Sequence, residues 1–121
     1  MGLAGMTRLH SLIALLVFAW AGMLPGGMAA AAEELPVFEV VAREGRLLPE
    51  RLEVPAGRRI KLVLRNEGKG PIEFENLDMR VEKVLAPGAA SFVVLPRLKP
   101  GEYEFIDEFH QATGRMRLIA K

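Results

Sequence analysis

The residues best suited to chemistry lie in two short stretches, PIEFEN and YEFIDEFHQATG. The second stretch contains Asp107, Glu108 and His110. The first contains Glu73 and Glu75. One imidazole among carboxylates is a donor set that suits ferrous or ferric iron, manganese or cupric copper better than cuprous copper. The chain has no cysteine, which excludes thiolate chemistry and disulfide bonds.

Plainer interpretations of the same residues remain open. Glu73 and Glu75 flank Phe74, an alternation that is equally typical of the solvated face of an edge strand. A single histidine in a loop is more often exposed or hydrogen-bonded than bound to a metal. Residue types alone therefore leave metal binding and a solvated surface as alternatives.

The N-terminal segment has the pattern of a secretory signal. A lone arginine in MGLAGMTRLH precedes the apolar run SLIALLVFAWAGML, and small residues follow in PGGMAAAAEE. The apolar run is shorter than the roughly 20 residues that span a bilayer. The sequence therefore predicts a cleaved signal peptide over residues 1–32, a mature domain over 33–121, and no stable membrane insertion after cleavage.

The mature domain is predicted to be electrically balanced. Of the sixteen Lys and Arg residues only Arg8 lies in the predicted signal, so fifteen basic and fifteen acidic residues remain. A formal net charge of zero excludes nucleic acid as an expected partner. One group of basic residues is interpreted as the solvated face of a strand, namely Arg58, Arg59, Lys61 and Arg65. His10 also lies in the signal, which leaves His110 as the only histidine of the mature domain.

Short runs of alternating apolar and polar residues fill the chain from Val37 onward. Turn signals such as PAG, APG and LKPG separate them about every ten residues, and no segment has a helical period. This pattern predicts an all-β fold, an antiparallel sandwich of about seven or eight strands. The predicted core residues are Phe38, Leu62, Leu64, Phe74, Val84, Phe92, Val94, Tyr103, Phe105 and Leu118.

Two further side chains receive structural roles. Met116 alternates with Arg115 and Arg117, which favours a core position in a strand. Tyr103 is the only tyrosine of the chain and is predicted to be a corner residue whose hydroxyl bonds a nearby backbone group.

The order of the motifs resembles that of cupredoxins over nearly all of the mature chain. The motifs are a PAG turn, IKLVLRN, PIEFEN, an APG turn, LKPGEYEF, an F-H pair and a closing strand. More narrowly, the chain is similar to exported cupredoxin-like proteins associated with ferrous-iron uptake, which share E-F-E and an acidic pair before F-H. The resemblance implies a Greek-key β-sandwich in the periplasm.

The resemblance also implies where a metal site would lie. In the cupredoxin pattern the copper thiolate falls at Asp107, the first imidazole at Ile72 and the second imidazole at His110. Two strong ligands are missing, so a type 1 copper centre is not expected. An oxygen-rich site for an iron or copper ion is expected instead where the ligand loops meet. Its predicted ligands are His110, Asp107, Glu108, Glu73 and Glu75.

Three functions are consistent with these residues. The first is an accessory of ferrous-iron or copper uptake that works with a periplasmic metal-binding protein and a membrane permease. The second is a simple periplasmic copper-handling protein, and the third is a metal-free interaction module with a decayed copper site. An oxidase would also need a metal that cycles in redox state and an electron acceptor, so the sequence leaves catalysis open.

Overall fold

A computed structural model describes Gly22 and residues 34–121. A compact unit spans Glu33–Lys121. The predicted signal peptide, residues 1–32, lies outside the described residues apart from Gly22 and stays a prediction. No helix in this part of the chain is both long and apolar enough to cross a membrane.

Nine strands and one turn of 3-10 helix, Glu108–His110, make up the regular structure of the described residues. The strands are β1 (Val37–Arg43), β2 (Arg46–Leu48), β3 (Arg51–Val54), β4 (Ile60–Asn66), β5 (Ile72–Asn76), β6 (Val81–Leu85), β7 (Ala90–Leu95), β8 (Gly101–Asp107) and β9 (Arg115–Ala120). The all-β prediction is confirmed. The strand beyond the predicted number is β2, which has 3 residues and is too short for alternation to reveal.

The strands form a sandwich of two sheets, ordered β2-β1-β4-β7 and β3-β9-β8-β5-β6. This confirms the predicted sandwich and its cupredoxin-like architecture. The sheets are mixed rather than purely antiparallel, because β1 runs parallel to β4 and β3 runs parallel to β9. Alternation fixes which face of a strand is buried but says nothing about the direction of its neighbour.

The core between the sheets is apolar and contains two stacked rings. The predicted core residues that are buried are Leu62, Leu64, Phe74, Phe105 and Leu118. Phe38 and Tyr103 pack against this core and are partly buried. The ring centroids of Phe74 and Phe105 are 4.8 Å apart, a contact that adds about 0.5–1.5 kcal/mol to the area that the rings bury.

The two individual side-chain predictions are confirmed. Met116 is fully buried in β9. The Tyr103 hydroxyl donates a hydrogen bond to the carbonyl oxygen of Lys99 at 2.7 Å. This hydrogen bond therefore stabilises the turn that precedes β8.

The prediction was wrong for three core residues. Val84 is 62% exposed and Phe92 is 52% exposed, while Val94 is half-buried. Both β6 and β7 carry apolar residues on both faces, so alternation does not choose between the faces. In β7 the choice is made by the register, since Val93 pairs with the buried Leu62 and faces the core with it.

The β5–β6 hairpin brings acidic side chains to the outer face of its sheet. The four-residue loop after Asn76 sets a register in which Glu75 stands opposite Glu82. Phe74 is buried in the core, so its neighbours Glu73 and Glu75 project from the other face. Cross-strand partners share a face, which places Glu82 beside them.

The segment between β8 and β9 closes tightly on the end of β8. The Asp107 N–H donates to the Gly114 carbonyl oxygen at 2.7 Å, and the Gly114 N–H donates to the His110 carbonyl oxygen at 2.7 Å. A Cβ atom at Gly114 would lie only 2.7 Å from the Cβ of Asp107. Glycine is therefore required for the chain to return this closely.

Candidate metal site

Asp107 is a buried carboxylate whose hydrogen bonds are all supplied by the chain. Its side chain is 1% exposed. Oδ1 accepts from the Glu73 N–H at 3.0 Å and from the Phe109 N–H at 3.1 Å. Oδ2 lies 2.6 Å from His110 Nδ1. These three partners offset a desolvation cost that is several kcal/mol for an unpaired buried carboxylate.

His110 is held by Asp107 at one nitrogen only. The imidazole is 42% exposed and borders a cleft of about 580 Å³. Because Nδ1 donates to the carboxylate, a neutral ring keeps its lone pair on Nε2. A Cβ atom at Gly45 would approach the ring carbon Cδ2 to 3.3 Å, so the β1–β2 turn packs closely on the imidazole. Nε2 is thus the ring nitrogen left for an external partner.

Glu73, Glu75 and Glu82 form a group of carboxylates on the outer face of the β5–β6 hairpin, here called the carboxylate cluster. One carboxylate oxygen from each lies within 4.8 Å of the others. Hard divalent cations bind carboxylate oxygens at about 2.0–2.6 Å, so the oxygens around one ion lie at most about 5 Å apart. The cluster therefore has the spacing of a shared cation site.

Glu75 is the buried member of the carboxylate cluster, with 6% of the residue exposed. The Glu73 carboxyl stands within hydrogen-bonding reach of the Glu75 carboxyl, and within the described part of the chain no basic side chain pairs with Glu75. Burial raises the pKa of the Glu75 carboxyl, and the negative charges of Glu108, Glu73 and Glu82 raise the pKa further. Glu75 therefore keeps its proton to a higher pH than an ordinary glutamate, and a bound cation would take the place of that proton.

Other acidic residues on the same face of the sheet are paired with basic ones. Glu104 bonds Arg115, and Glu102 lies 3.7 Å from Arg117. None of the ion pairs among residues 34–121 includes a member of the carboxylate cluster. The lack of basic partners is thus specific to the β5–β6 side of the face.

A groove on the outer face gives access to the cluster. It has a volume of about 620 Å³ and reaches Glu75. The other charged residues that line it are Asp78, Glu102 and Glu104. Glu102 and Glu104 are neutralised by their arginine partners, so Asp78 and Glu75 are the lining residues that give this groove negative charge.

The five predicted ligands are brought together in two groups rather than one. Asp107 bonds His110 and points into the sandwich, as does its cross-strand partner Phe74. Glu73 and Glu75 lie on the opposite face, with Glu108 close enough to raise the pKa of Glu75. Metal binding by these groups stays a prediction.

Sequence reasoning missed two polar residues near this end of the fold. Glu82 belongs to the carboxylate cluster, and the four-residue hairpin loop was the signal that would have placed it opposite Glu75. Asn66 is buried, and its Nδ2 donates to the carbonyl oxygens of Gly70 and Leu85 at 2.9 and 3.1 Å. The N-E-G sequence, typical of an Asx turn, was the signal for Asn66.

The fold and the candidate site can now be set beside known proteins. Residues 11–120 match the model of the cupredoxin-like domain, and the chain therefore belongs to the cupredoxin-like domain family. A curated relative is RP394 of Rickettsia prowazekii (strain Madrid E), a protein described as uncharacterized. The two are 32% identical over 81 residues, which is 67% of this chain. The matched region spans 65% of the relative's length.

Solved cupredoxin structures share the fold. Auracyanin from Roseiflexus castenholzii is 16% identical, with a TM-score of 0.58 over 70% of this chain and 96% of that chain. Auracyanin A, a blue copper protein from Chloroflexus aurantiacus, is 11% identical, with a TM-score of 0.58 over 73% and 100%. A purple cupredoxin from Nitrosopumilus maritimus is 14% identical, with a TM-score of 0.51 over 69% and 98%. Identities this low establish the fold alone.

The residues present do not fit a type 1 copper ion. Such a centre requires a thiolate, and the chain has no cysteine. Ile72, at the position of the first imidazole in the family pattern, is buried in the core. Asp107 and His110, at the positions of two other ligands, bond each other. The copper chemistry of the family therefore does not transfer to this chain.

Proposed function

We propose that this protein is an exported accessory of ferrous-iron uptake that binds the ion in its carboxylate cluster. The observation that carries the proposal is Glu75, a residue with only 6% exposure whose charged neighbours are all carboxylates. A divalent cation would neutralise this repulsion. Glu108 lies near enough to raise the pKa of Glu75 but is not one of the three carboxylates that form the cluster.

The donor set supports a hard or intermediate cation. Carboxylate oxygens favour ferrous iron and manganese over cuprous copper, with cupric copper as the runner-up. The E-F-E motif that supplies Glu73 and Glu75 is also the feature that the chain shares with cupredoxin-like proteins of ferrous-iron uptake. Iron is proposed as cargo that the protein binds and releases.

The same proposal includes a periplasmic location and two partners. A predicted signal peptide over residues 1–32 supports export. Glu82, the exposed member of the cluster, leaves the ion accessible to a periplasmic metal-binding protein or a membrane permease. Cell fractionation with N-terminal sequencing tests the location, and a cytoplasmic chain that retains residues 1–32 would contradict it.

Calorimetric titration of the purified protein tests the site directly. Ferrous iron is added under anaerobic conditions, and manganese and cupric copper are added in separate titrations. We expect the Glu75→Gln variant to bind ferrous iron at least about tenfold more weakly than the wild type, a difference of roughly 1.4 kcal/mol. The matched control is Glu104→Gln, which removes a carboxylate from the same face but from an ion pair with Arg115. Its affinity should stay within about twofold of the wild type.

The outcomes separate the competing functions. If cupric copper binds and ferrous iron does not, the protein is a copper-handling protein. If none of the three ions binds more tightly than about 1 mM, only about 4 kcal/mol of binding free energy remains. The metal hypothesis then fails, and the metal-free interaction module takes its place.

A further inference from the structure

Asp107 touches both of the segments that carry the proposed ligands. The Glu73 N–H and the Phe109 N–H donate to the same oxygen, Oδ1, at 3.0 and 3.1 Å. Glu73 belongs to β5 and to the carboxylate cluster. Phe109 follows Glu108 in the 3-10 turn that Asp107 caps. One oxygen atom therefore ties the backbone of β5 to the backbone of the turn.

The Asp107 carboxylate itself is on the wrong face to join the cluster. Asp107 is the cross-strand partner of Phe74, while Glu75 is the partner of Ile106. Partners share a face and neighbours alternate, so Asp107 points into the sandwich while Glu75 points out of it. Both Asp107 oxygens are also occupied, Oδ1 by two N–H groups and Oδ2 by His110 Nδ1 at 2.6 Å.

We infer that Asp107 is the positioning residue of the cation site, fixing Glu73 and its strand against the 3-10 turn through Oδ1. The inference rests on the proposed function, because it concerns the same carboxylates. Asp107, which the resemblance places at the thiolate position, would then influence ion binding without being a ligand. His110 completes the arrangement by fixing the orientation of the Asp107 carboxylate through Oδ2.

In this role Asp107 acts through its acceptor oxygen Oδ1 and not through its negative charge, and substitutions can distinguish the two. Asparagine keeps an Oδ1 that accepts from both N–H groups, whereas alanine keeps neither acceptor. The asparagine amide would donate to His110 Nδ1, so a neutral imidazole would move its hydrogen to Nε2. A ligand role would instead require the negative charge, which both substitutions remove.

The test is the ferrous-iron affinity of four purified proteins under anaerobic conditions. They are the wild type, Asp107→Asn, Asp107→Ala and Glu75→Gln. We expect Asp107→Asn to bind within about threefold of the wild type and Asp107→Ala to bind at least about tenfold more weakly, since 1.4 kcal/mol corresponds to a factor of ten. If Asp107→Asn loses as much affinity as Glu75→Gln, Asp107 acts through its charge and the inference is overturned.

Nuclear magnetic resonance supplies a readout that does not depend on iron. In the wild type and Asp107→Asn, the amide protons of Glu73 and Phe109 should be shifted downfield and protected from exchange. The imidazole nitrogen resonances of His110 should report opposite tautomers in these two proteins. Loss of both protected amides in Asp107→Asn would overturn the inference.

The two proposals can fail separately. A wild type that binds no iron removes the proposed function and with it the positioning role. A wild type that binds iron, with Asp107→Asn as weak as Glu75→Gln, leaves the function standing and removes the positioning role alone. Asp107→Asn decides between them even if Asp107→Ala does not fold.

Discussion

Asp107 and Glu75 are both buried carboxylates of the five-stranded sheet, yet their surroundings are opposite. Asp107 receives hydrogen bonds from two backbone N–H groups and one imidazole. Glu75 is surrounded by the carboxylates of Glu73, Glu82 and Glu108. The chain thus surrounds the first carboxylate with hydrogen-bond donors and the second with other carboxylates.

The difference separates structure from binding. A carboxylate that the fold fully pairs contributes to stability and offers little to a ligand. A carboxylate beside other carboxylates costs stability when it ionises, and a cation that bound there would offset that cost. Asp107, which the resemblance places at the thiolate position, is therefore structural, while the candidate binding residues lie on the other face of the sheet.

The largest expected effect is the loss of stability when Asp107 is replaced. Asp107→Ala should lower the free energy of unfolding by about 3 kcal/mol, because it leaves buried N–H donors without an acceptor. Urea denaturation measures the change. Asp78→Ala, which removes an exposed carboxylate, is the matched control and should change stability by less than about 0.5 kcal/mol. Equal effects of the two substitutions would break the comparison.

A smaller loss is expected when the loop that closes on Asp107 is crowded. Gly114→Ala places a Cβ atom 2.7 Å from the Asp107 Cβ and 3.0 Å from the His110 carbonyl oxygen. Such overpacking costs about 1–3 kcal/mol. Gly70→Ala is the control, because a Cβ there meets nothing within 4 Å. A thermal melt that shows the same stability for both variants would mean that the loop is not tightly closed.

Much of this fold was predictable from the sequence because burial follows alternation. IKLVLRN and EYEF place most of their apolar residues on one face, and Leu62, Leu64 and Phe105 are buried as that pattern predicts. VEKVL and SFVVL carry apolar residues on both faces, and there Val84 and Phe92 were placed wrongly. Which face such a strand buries is decided by its register with a neighbour, which the pattern of one strand does not contain.

The candidate site was less predictable than the fold for a related reason. The sequence order Asp107-Glu108 suggests two acids at one place, but successive residues at a strand end diverge. Asp107 turns inward to bond His110, while Glu108 belongs to the turn and lies near Glu75. Glu82 entered the cluster only through the cross-strand register of the hairpin.

For Glu75, the carboxylate without a basic partner among the described residues, we expect substitution to increase stability in the absence of metal. Without added metal at neutral pH, Glu75→Gln should melt at a higher temperature than the wild type, because burial and neighbouring charges raise the pKa of Glu75 above its ordinary value of 4.5. Below pH 4.5 the carboxyl is protonated in both the folded and the unfolded chain. The advantage of the variant should therefore appear as the pH rises through the raised pKa and vanish on acidification.

Substitution of Glu53 should change stability in the opposite direction, so Glu53 is a control for this pH experiment. Its hydrogen bond and ion pair with Lys121 lower the pKa of the Glu53 carboxyl, with a smaller contribution from Arg51. Glu53→Gln should therefore be slightly less stable than the wild type above pH 4.5, and the difference should be lost as the pH falls through the lowered pKa. Parallel pH profiles for the Glu75 and Glu53 variants would contradict the assignment of Glu75 as the unpaired carboxylate.

The smallest expected effects concern two exposed glutamates, Glu104 and Glu82. They lie on the same face of the sheet, but within residues 34–121 only Glu104 has a basic partner. Glu104→Gln breaks the ion pair with Arg115 and should cost about 0.5 kcal/mol, less at high salt because exposed pairs are screened. Glu82→Gln removes an exposed carboxylate that stands opposite Glu75, so it relieves repulsion and should leave stability unchanged or slightly higher. Urea denaturation at low and high salt measures both. A salt-dependent loss in Glu82→Gln equal to that in Glu104→Gln would show that the cluster already has a cationic partner within the chain, and no ion would then be needed to explain it.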